Sequence, residues 1–412
     1  MNKLKLYGRP DSSEIYPIRD FLNRSVVDFE WVDLKTDESE QGDLYTLNPE
    51  AHPMIEFPDG KLIVNPSLEE IASILGWITK PKYKEYDLSI YGAGPAGLSA
   101  AVYAASEGLK TILIEREAVG GQAGTSSMIE NYLGFPNGIS GANLAERARQ
   151  QALKFGVEIL LLKEGVKGTF YDKKIHVDFA TGEKLVAKTN ICATGVEYAR
   201  LNLPDENRFF HKGVYYGAGA SEAYFCQDKD LYIVGGGNSA GQAAVYFSGF
   251  AKRVFMVIRK GNLSDTLSDY LIRRISSIGN IEVLYHSQVI ELDGDDHLQQ
   301  IKIANSKEET EQWHETSKLF ICIGGKPNTQ WASETAICRD INGYLYTGSD
   351  LIGQDQFTSC WSEDRQPYHL ETSVPGSFAA GDVRFNSVKR VASAVGEGAM
   401  AVTQVHQYLS KL

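Results

Sequence analysis

The sequence is poor in cysteine and forms no Cys-x-x-Cys pair. Its 412 residues contain five cysteines, which lie far apart at Cys192, Cys226, Cys322, Cys338 and Cys360. An odd, sparse set of this kind is typical of reduced thiols in the cytoplasm. The cysteines and histidines also lack the spacing of metal ligands. We therefore expect a cytoplasmic protein without a metal site.

Two other features are missing, and each excludes a class of protein. The net charge of −12 gives no basic surface, which excludes a general nucleic-acid binder. No run of 18 apolar residues occurs, so we expect no membrane span, and the first residues lack the apolar core of a signal peptide. The hydrophobic content of 43% is ordinary for a globular protein, and the length predicts two or three domains.

Residues 1–77 have the pattern of a small α/β domain. The predicted order is β-α-β-α-β-β-α, and Ser67 with Glu70 forms a capping box before the last helix. This order resembles a thioredoxin or glutaredoxin fold. A polar, lysine-rich linker follows at residues 78–85.

The reactive positions of that fold are altered. Its nucleophilic cysteine begins a helix, where the dipole lowers the pKa of the thiol. Ser12 takes this position here and Ile15 that of the second cysteine, while Pro53 lies where the fold places a cis-proline. A serine hydroxyl forms no disulfide. The domain is therefore interpreted as degenerate, either a docking or dimerising module or a relic that merely packs.

A glycine-rich motif follows the next apolar strand, "YDLSIYG". Gly92, Gly94 and Gly97 form GxGxxG before a small-residue helix, and the strand "KTILIE" ends in Glu115. This is the context of a dinucleotide site. In such a site the glycines allow a tight turn, the approach of a pyrophosphate to the backbone and close packing of helix on strand. Glu115 would accept hydrogen bonds from the ribose hydroxyls.

A second copy follows in "LYIVGGGNSAGQAA". Gly235, Gly237 and Ala240 form GxGxxA, and the next strand ends in Arg259 and Lys260. Basic residues there suit a 2′-phosphate, which favours NADP(H) over NAD(H); the alternative is a solvated pair at a strand end. Two such folds imply a flavin and a nicotinamide nucleotide, and hence hydride transfer.

Residues from about 84 to 412 resemble the low-molecular-weight thioredoxin reductases. The motifs that carry the resemblance are "GAGPAG", "GGQAGTSSMIENYLGFP", "CATG", "GGGNSAG", "IGGKPNT", "SVPGSFAAGDV" and "KRVASAVGEGAM". The resemblance implies an α/β fold with two Rossmann-like domains. The FAD domain is split into 86–202 and 323–412, the NAD(P)H domain is 203–322, and the protein is a homodimer.

The same resemblance implies the cofactor contacts. Those for FAD are Gly92, Gly94, Pro95, Ala96, Gly97, Glu115, Arg116, Gly121, Gln122, Asn131, Val166, Ala193, Thr194, Gly195, Gly381, Asp382, Arg390, Val391 and Ala392. Those for NADP(H) are Gly235, Gly237, Asn238, Ser239, Ala240, Arg259 and Lys260. Ser264 stands where the family has a further arginine for the 2′-phosphate, so NAD(H) stays the alternative.

The sequence departs from this family at its redox centre. The family's Cys-Ala-Thr-Cys-Asp falls on residues 217–221, where Gly217 and Ala220 replace both cysteines and Ser221 the aspartate. We expect the two small residues to open space over the flavin. Cys226 is interpreted as a buried apolar residue. The sequence resembles a subgroup of these flavoproteins that lacks the cysteine pair.

A second departure is an insertion of about twenty residues before "LETSVPG". It contains Trp361 and Arg365, and it supplies Cys360 and His369 as candidate redox and acid–base residues. No other catalytic side chain is identified.

We predict an FAD-dependent NAD(P)H oxidoreductase that passes electrons to an external acceptor. The acceptor is a small molecule, such as a quinone, a dye or oxygen, or a protein such as ferredoxin, flavodoxin or a thioredoxin-like protein. Hinges for domain rotation are expected near Gly213 and Gly324-Gly325. One alternative is a disulfide reductase that uses Cys360 or direct flavin–disulfide contact, and another is a flavin-bound sensor or scaffold without turnover.

Overall fold

A computed structural model describes residues 3–10, 12–34, 52–78, 80–180, 182–217, 219–352, 361 and 363–412. The chain divides into two compact units. Unit 1 contains residues 1–71, 125–128 and 198–324, and unit 2 contains residues 72–124, 129–197 and 325–412. No helix among the described residues is both long enough and apolar enough to cross a membrane.

The N-terminal part of unit 1 is built on a four-stranded sheet. Its spatial order is Phe29–Asp33, Leu4–Gly8, Met54–Glu56 and Leu62–Val64, with the first two strands parallel and the other pairs antiparallel. Helix Ile15–Arg24 buries Ile15, Ile18, Phe21 and Leu22, which recur at helical spacing. The helical segment therefore packs one apolar stripe and leaves the opposite face polar.

Two expectations for this segment have opposite outcomes. The capping box before helix Leu68–Ile74 is confirmed, since the Ser67 N–H donates to the Glu70 carboxylate at 2.9 Å and the Glu70 N–H donates to the Ser67 hydroxyl at 3.1 Å. The cis-proline expected at Pro53 is wrong, because no peptide bond of the described residues is cis.

The rest of unit 1 is a parallel sheet with a small antiparallel one. The parallel sheet has the order Val214–Tyr216, Leu319–Ile321, Asp230–Val234, Arg253–Val257, Ile281–Leu284. The antiparallel sheet consists of Ser287–Asp293, Gln300–Asn305 and Thr310–Glu315. The helices are Glu206–Phe209, Asn238–Phe247 and Asp269–Ser277, with a 3₁₀ helix at Ala220–Cys226.

Unit 2 is built on a seven-stranded mixed sheet. Six strands have the order Glu158–Leu161, Thr111–Glu115, Tyr86–Tyr91, Lys184–Cys192, Lys174–Phe179, Gly165–Tyr171, and Ser377–Ala379 pairs in parallel with Lys184–Cys192. The parallel strands Thr111–Glu115 and Glu158–Leu161 are buried at every residue, as strands covered on both faces require. The helices are Pro95–Ser106, Gly121–Gly124, Gly141–Lys154 and Val391–Leu409, with 3₁₀ helices at Gln330–Ala332 and Gly348–Leu351.

Small residues bring the first and last helices of unit 2 together. A Cβ added at Gly398 would lie 2.2 Å from the backbone oxygen of Ala96, so only glycine fits there. This close packing sets helix Val391–Leu409 directly against the start of helix Pro95–Ser106.

The chain passes between the units at residues 71/72, 124/125, 128/129, 197/198 and 324/325. The hinge position expected near Gly324-Gly325 thus falls at a unit boundary. Gly213 does not, because it lies inside unit 1, where an added Cβ would be 2.5 Å from that of Leu298.

Candidate functional site

The first glycine-rich turn is built so that only glycine fits at two of its positions. Gly92 has φ +100°, and an added Cβ would lie 2.4 Å from the backbone oxygen of Ala193. A Cβ at Gly97 would lie 1.8 Å from the Gly92 oxygen. By contrast, a Cβ at Gly94 would meet no atom nearer than 4.0 Å. The backbone before helix Pro95–Ser106 is therefore open, and the N-terminus of such a helix could hold an anion such as a pyrophosphate.

Glu115 ties the end of the second strand to this turn. Its buried carboxylate accepts from the Ala93 N–H at 2.7 Å and from the Glu117 N–H at 2.9 Å. These two hydrogen bonds fix the orientation of the carboxylate at the end of the strand. Its neighbour Arg116 pairs with Glu197 at 2.7 Å.

The C-terminal segment of unit 2 adds a second carboxylate, that of Asp382, to the same region. Gly381 has φ +81°, and its N–H donates to Glu397 at 2.6 Å, which fixes the turn. Arg384 makes two further hydrogen bonds to Glu397, at 3.0 and 2.8 Å. Burial raises the pKa of Asp382, although Lys389 opposes the shift. No hydrogen bond from the described residues reaches the Asp382 side chain, so it fits a ligand that carries hydroxyls.

The structure brings several of the predicted FAD residues together. A Cβ added at Gly121 would lie 3.2 Å from the Gly94 Cα. A Cβ added at Gly381 would lie 2.9 Å from the Ala96 Cβ. Thr194 donates to the backbone of Asn328 at 2.9 Å, and Gln122 donates to that of Val196 at 2.8 Å. The other predicted residues are also in unit 2: Gly195 and Val391 are partly buried, and Asn131, Val166, Arg390 and Ala392 are exposed to varying degrees.

The second glycine-rich turn repeats this construction in unit 1. Gly235 has φ +139°, and an added Cβ would lie 2.3 Å from the backbone oxygen of Cys322, whereas the space at Gly237 is open. Ala240 is fully buried under the turn, and the Asn238 side chain accepts from the Ser268 N–H at 2.8 Å. The predicted nucleotide residues therefore form one turn at the start of helix Asn238–Phe247, with Ser239 exposed beside them.

The basic pair at the end of the next strand is exposed. Lys260 pairs with Asp265 at 3.2 Å, whereas Arg259 has no ion pair or hydrogen bond with a described residue. Ser264 hydrogen-bonds to Asn262 at 3.1 Å. Arg259 is therefore the cation at this strand end that is left available to an anionic ligand.

The space expected beside Gly217 is not open. Gly217 has φ +86°, and an added Cβ would lie 2.4 Å from the Tyr198 hydroxyl oxygen and 2.6 Å from its ring. A Cβ at Gly219 would likewise lie 2.5 Å from the Phe320 ring. The expectation of open space is therefore wrong at Gly217, because an aromatic side chain fills it. Ala218 lies outside the described residues, and Ala220 begins the 3₁₀ helix.

A buried ion cluster lies next to this segment. The Glu222 carboxylate is fully buried and binds Arg19 through one oxygen and Lys318 through the other, the latter at 2.7 Å. Lys318 also donates to the Tyr215 hydroxyl at 3.0 Å. Burial raises the pKa of Glu222, but Lys318 and Arg19 outweigh it and hold the pKa below its usual value. Arg19 belongs to helix Ile15–Arg24, so the cluster joins the N-terminal sheet domain to the nucleotide domain.

Sequence reasoning missed this cluster, although one signal was present. Arg19 falls four residues after Ile15, on the apolar stripe of its helix. A charged residue in such a stripe is rarely buried unless it is paired.

The cysteines are mostly buried and inert. Burial raises the pKa values of Cys192, Cys226 and Cys322 to about 12 each, so their thiols stay protonated at neutral pH. The apolar role predicted for Cys226 agrees with its place in the core. The expectation of reduced thiols is wrong for Cys338, which is disulfide-bonded. Distance in sequence does not exclude proximity in the fold, and the partner of Cys338, like the candidate Cys360, lies outside the described residues.

The described end of the insertion is held by one ion pair. Arg365 makes two hydrogen bonds of 2.7 Å to the fully buried Glu371, and its guanidinium lies 5.1 Å from the centre of the Trp361 ring. His369 is exposed, and no hydrogen bond among the described residues engages its ring. This part of the insertion is anchored to the core of unit 2, and His369 has the environment of an ordinary loop residue.

Comparison with known proteins places most of the chain in one family. Residues 86–398 match the family described as pyridine nucleotide-disulphide oxidoreductase. A thioredoxin reductase of Chlamydia trachomatis is 32% identical over 330 residues, which cover 78% of this chain and 98% of the relative. Thioredoxin reductase 1 of Saccharomyces cerevisiae is 33% identical over 336 residues, 79% of this chain and 98% of the relative.

A solved structure agrees with these relatives. The thioredoxin reductase of Lactococcus lactis, in its FR conformation, covers 79% of this chain and 100% of its own with a TM-score of 0.70 and 28% identity. The predicted α/β fold with two Rossmann-like nucleotide domains is confirmed.

Proposed function

Because the chain belongs to the pyridine nucleotide-disulphide oxidoreductase family, we propose that it is an FAD-dependent NAD(P)H oxidoreductase that serves an external acceptor without a Cys-x-x-Cys relay. It is an enzyme, a thioredoxin reductase-like flavin oxidoreductase. When bound, FAD would supply two-electron chemistry between the nicotinamide nucleotide and the acceptor.

The chain's own residues fit FAD in unit 2. The open backbone at Gly94 and the following helix would bind the pyrophosphate. Glu115 would accept from ribose hydroxyls, and Asp382, which has no hydrogen bond from the described residues, would accept from the ribityl chain. The N-terminus of helix Val391–Leu409 would direct its positive dipole end to the flavin and stabilise negative charge there.

The nicotinamide nucleotide would bind in unit 1. The open turn at Gly237 suits its pyrophosphate, and the available Arg259 guanidinium supports a 2′-phosphate contact. We therefore propose NADP(H), with NAD(H) as the alternative because Ser264 offers no third cation.

The surroundings of Gly217 and Cys226 are the observation that supports an external acceptor. Gly217 leaves no room even for a Cβ, and Cys226, the cysteine nearest to it in sequence, is fully buried. A thiol relay at this place would need a thiolate and a partner cysteine, and neither is present among the described residues. Electrons would accordingly pass directly to the acceptor.

The N-terminal segment is proposed to be a degenerate thioredoxin-like domain that is fixed to the nucleotide domain. Its strand order supports the fold assignment, and Ser12 and the buried Ile15 replace the thiols. The Arg19–Glu222 contact supports a packing role over a free docking module. The domain limits 1–77, 86–202, 203–322 and 323–412, the homodimer and the cytoplasmic location remain predictions.

Anaerobic titration tests this function directly. NADPH should bleach the flavin absorbance of the purified protein within seconds, and NADH should do so more slowly. Arg259→Ala should raise the Kd for NADPH about tenfold and leave that for NADH unchanged, because only the 2′-phosphate contact is lost. Arg273→Ala, at an exposed ion pair in the same unit, is the matched control.

Two alternatives have distinct outcomes in the same experiments. A protein that binds FAD tightly but is not bleached by either nucleotide would be a sensor or scaffold, and the oxidoreductase proposal would fail. A protein that is bleached and then reduces a protein disulfide, with the activity lost in Cys360→Ser, would be a disulfide reductase.

A further inference from the structure

A cavity lies inside unit 1, where the N-terminal segment meets the nucleotide domain. Its volume is about 270 Å³, and Pro10 forms the wall on the N-terminal side. Residues between 212 and 318, from the nucleotide domain, form the other walls. Pockets for drug-sized ligands have volumes of about 300–1,000 Å³, so this cavity suits a small molecule.

The cavity lies at the opposite end of the parallel sheet from the second glycine-rich turn. Three of its lining residues each directly precede a strand: Gly213 before Val214–Tyr216, Lys229 before Asp230–Val234 and Lys318 before Leu319–Ile321. These strands are parallel neighbours, so the cavity is at their amino ends. The turn at Gly235 follows a carboxyl end, which is where nucleotides bind in such folds. The cavity is therefore separate from the proposed nucleotide site.

The side chains around the cavity offer hydrogen-bond donors, and none of the described lining residues is acidic. Lys212, His297 and Ser317 line it and are partly buried. Among the described residues, the Lys212 ammonium has no ion pair, and the other two side chains have no hydrogen bond. Lys229 also lines the cavity, but it has another interaction. A wall that has donors and lacks carboxylates favours an anion.

Lys318 adds a buried positive charge to this wall. Its side chain is 6% exposed, and its ammonium donates to Glu222 at 2.7 Å and to the Tyr215 hydroxyl at 3.0 Å. Burial lowers the pKa of Lys318, but Tyr215 and Glu222 outweigh this effect and hold the pKa above its usual value. Glu222 also pairs with Arg19, so two buried cations share one carboxylate. Because an unbalanced buried charge is costly, an anion in the adjacent cavity is favourable.

We propose that this cavity binds a phosphate group, carried by inorganic phosphate or by a small phosphomonoester. A phosphate group presents its oxygens in several directions, whereas a carboxylate has only two oxygens. It therefore makes better use of the four donors of the nucleotide domain, which are Lys212, His297, Ser317 and Lys318. Binding here requires neither FAD nor a nicotinamide nucleotide, so the proposal goes beyond the oxidoreductase function and is tested separately from it.

Calorimetric titration of the full-length protein with inorganic phosphate tests the site. Lys212→Gln removes one charge from the wall, and the Kd for phosphate should rise about tenfold, the low end for a lost charge-assisted hydrogen bond. Ser317→Ala should raise this Kd about threefold, as expected for a neutral hydrogen bond. Lys252→Gln, at an exposed lysine of the same unit, is the matched control and should bind as the wild type does.

Two further ligands identify the chemical class. Tighter binding of glycerol 3-phosphate than of inorganic phosphate would assign the site to a phosphomonoester, and the reverse order would assign it to free phosphate. Both results support the proposal when the affinity falls in Lys212→Gln. Acetate that binds as tightly as phosphate would contradict a site built for a phosphate group.

Arg259→Ala separates the cavity from the nucleotide turn. This variant should bind inorganic phosphate with the wild-type Kd. Lost binding in Arg259→Ala with a normal Kd in Lys212→Gln would place the anion at the nucleotide turn and overturn the proposal. Equal Kd values in the wild type, Lys212→Gln and Ser317→Ala would also overturn it, as would no binding by the wild type at about 10 mM phosphate. None of these results changes the expected bleaching of the flavin, so failure here leaves the oxidoreductase proposal intact.

Discussion

Replacing Glu222 by glutamine would leave two cations without their counter-charge. Glu222 is fully buried between Arg19 and Lys318, whose side chains are 3% and 6% exposed. Arg19 reaches Glu222 through Nη2, and its Nε and Nη1 have no hydrogen-bond partner among the described residues. The guanidinium also lies 4.3 Å from the centre of the Phe225 ring, but Glu222 is the anion that it pairs with. Glutamine keeps the shape of the side chain but removes the negative charge.

The magnitude follows from the cost of an unpaired buried charge. Removing one member of a buried ion pair destabilises a protein by about 3–5 kcal/mol. For a domain of 150–250 residues, each kcal/mol lowers Tm by about 2–4 °C. The variant should therefore melt about 6–20 °C below the wild type. Because Arg19 belongs to the N-terminal domain, that domain should also become sensitive to protease.

Thermal unfolding followed by circular dichroism and limited proteolysis measures both effects. Glu311→Gln is the matched control, since Glu311 is 56% exposed and pairs with Lys302 in the same unit. An exposed pair contributes about 0–1 kcal/mol, so this variant should melt close to the wild type. Triple replacement of Arg19, Glu222 and Lys318 by Met, Leu and Met should recover much of the loss. Equal melting temperatures for Glu222→Gln and Glu311→Gln would refute the reasoning.

Two more variants test the same region. Gly217→Ala should destabilise the protein more than Gly60→Ala, because both glycines have φ +86° but only Gly217 would place its Cβ against Tyr198; equal losses in a denaturant titration would contradict the clash. Burial lowers the pKa of His211 from its ordinary value of 6.5 to about 4. The positive charges of Arg200 and Arg19 contribute to this lowering, whereas the negative charge of Glu222 opposes it. Between pH 6.5 and 4 the unfolded state therefore binds a proton that the folded state does not. As the pH falls through this window, the free energy of unfolding should decrease by about 2 kcal/mol, a value that allows for the partial exposure of His211. His211→Asn, which tolerates the φ of +63°, should flatten the dependence of Tm on pH there; an unchanged slope would refute the assignment.

The local patterns of the sequence predicted the two glycine-rich turns well. GxGxxG after an apolar strand requires glycine for steric reasons that act within a few residues, and the contacts of Gly92 and Gly97 are of this kind. The capping box of Ser67 and Glu70 is equally local.

The surroundings of Gly217 and Glu222 could not be predicted in the same way. Tyr198 reaches Gly217 from a strand nineteen positions earlier, and Glu222 meets Arg19 from another domain. Such pairings depend on tertiary packing, which no periodicity encodes. The disulfide at Cys338 escaped prediction for the same reason.

The split construction of unit 2 has a consequence for synthesis on the ribosome. Strand Ser377–Ala379 completes the sheet beside Lys184–Cys192, and helix Val391–Leu409 covers the start of helix Pro95–Ser106. Residues 193–376 must therefore emerge before this sheet can close. At about 5–20 residues per second, the first half of the unit waits many seconds with an uncovered apolar face. We expect chains truncated between residues 325 and 376 to depend on chaperones, even though they contain all the residues of unit 1.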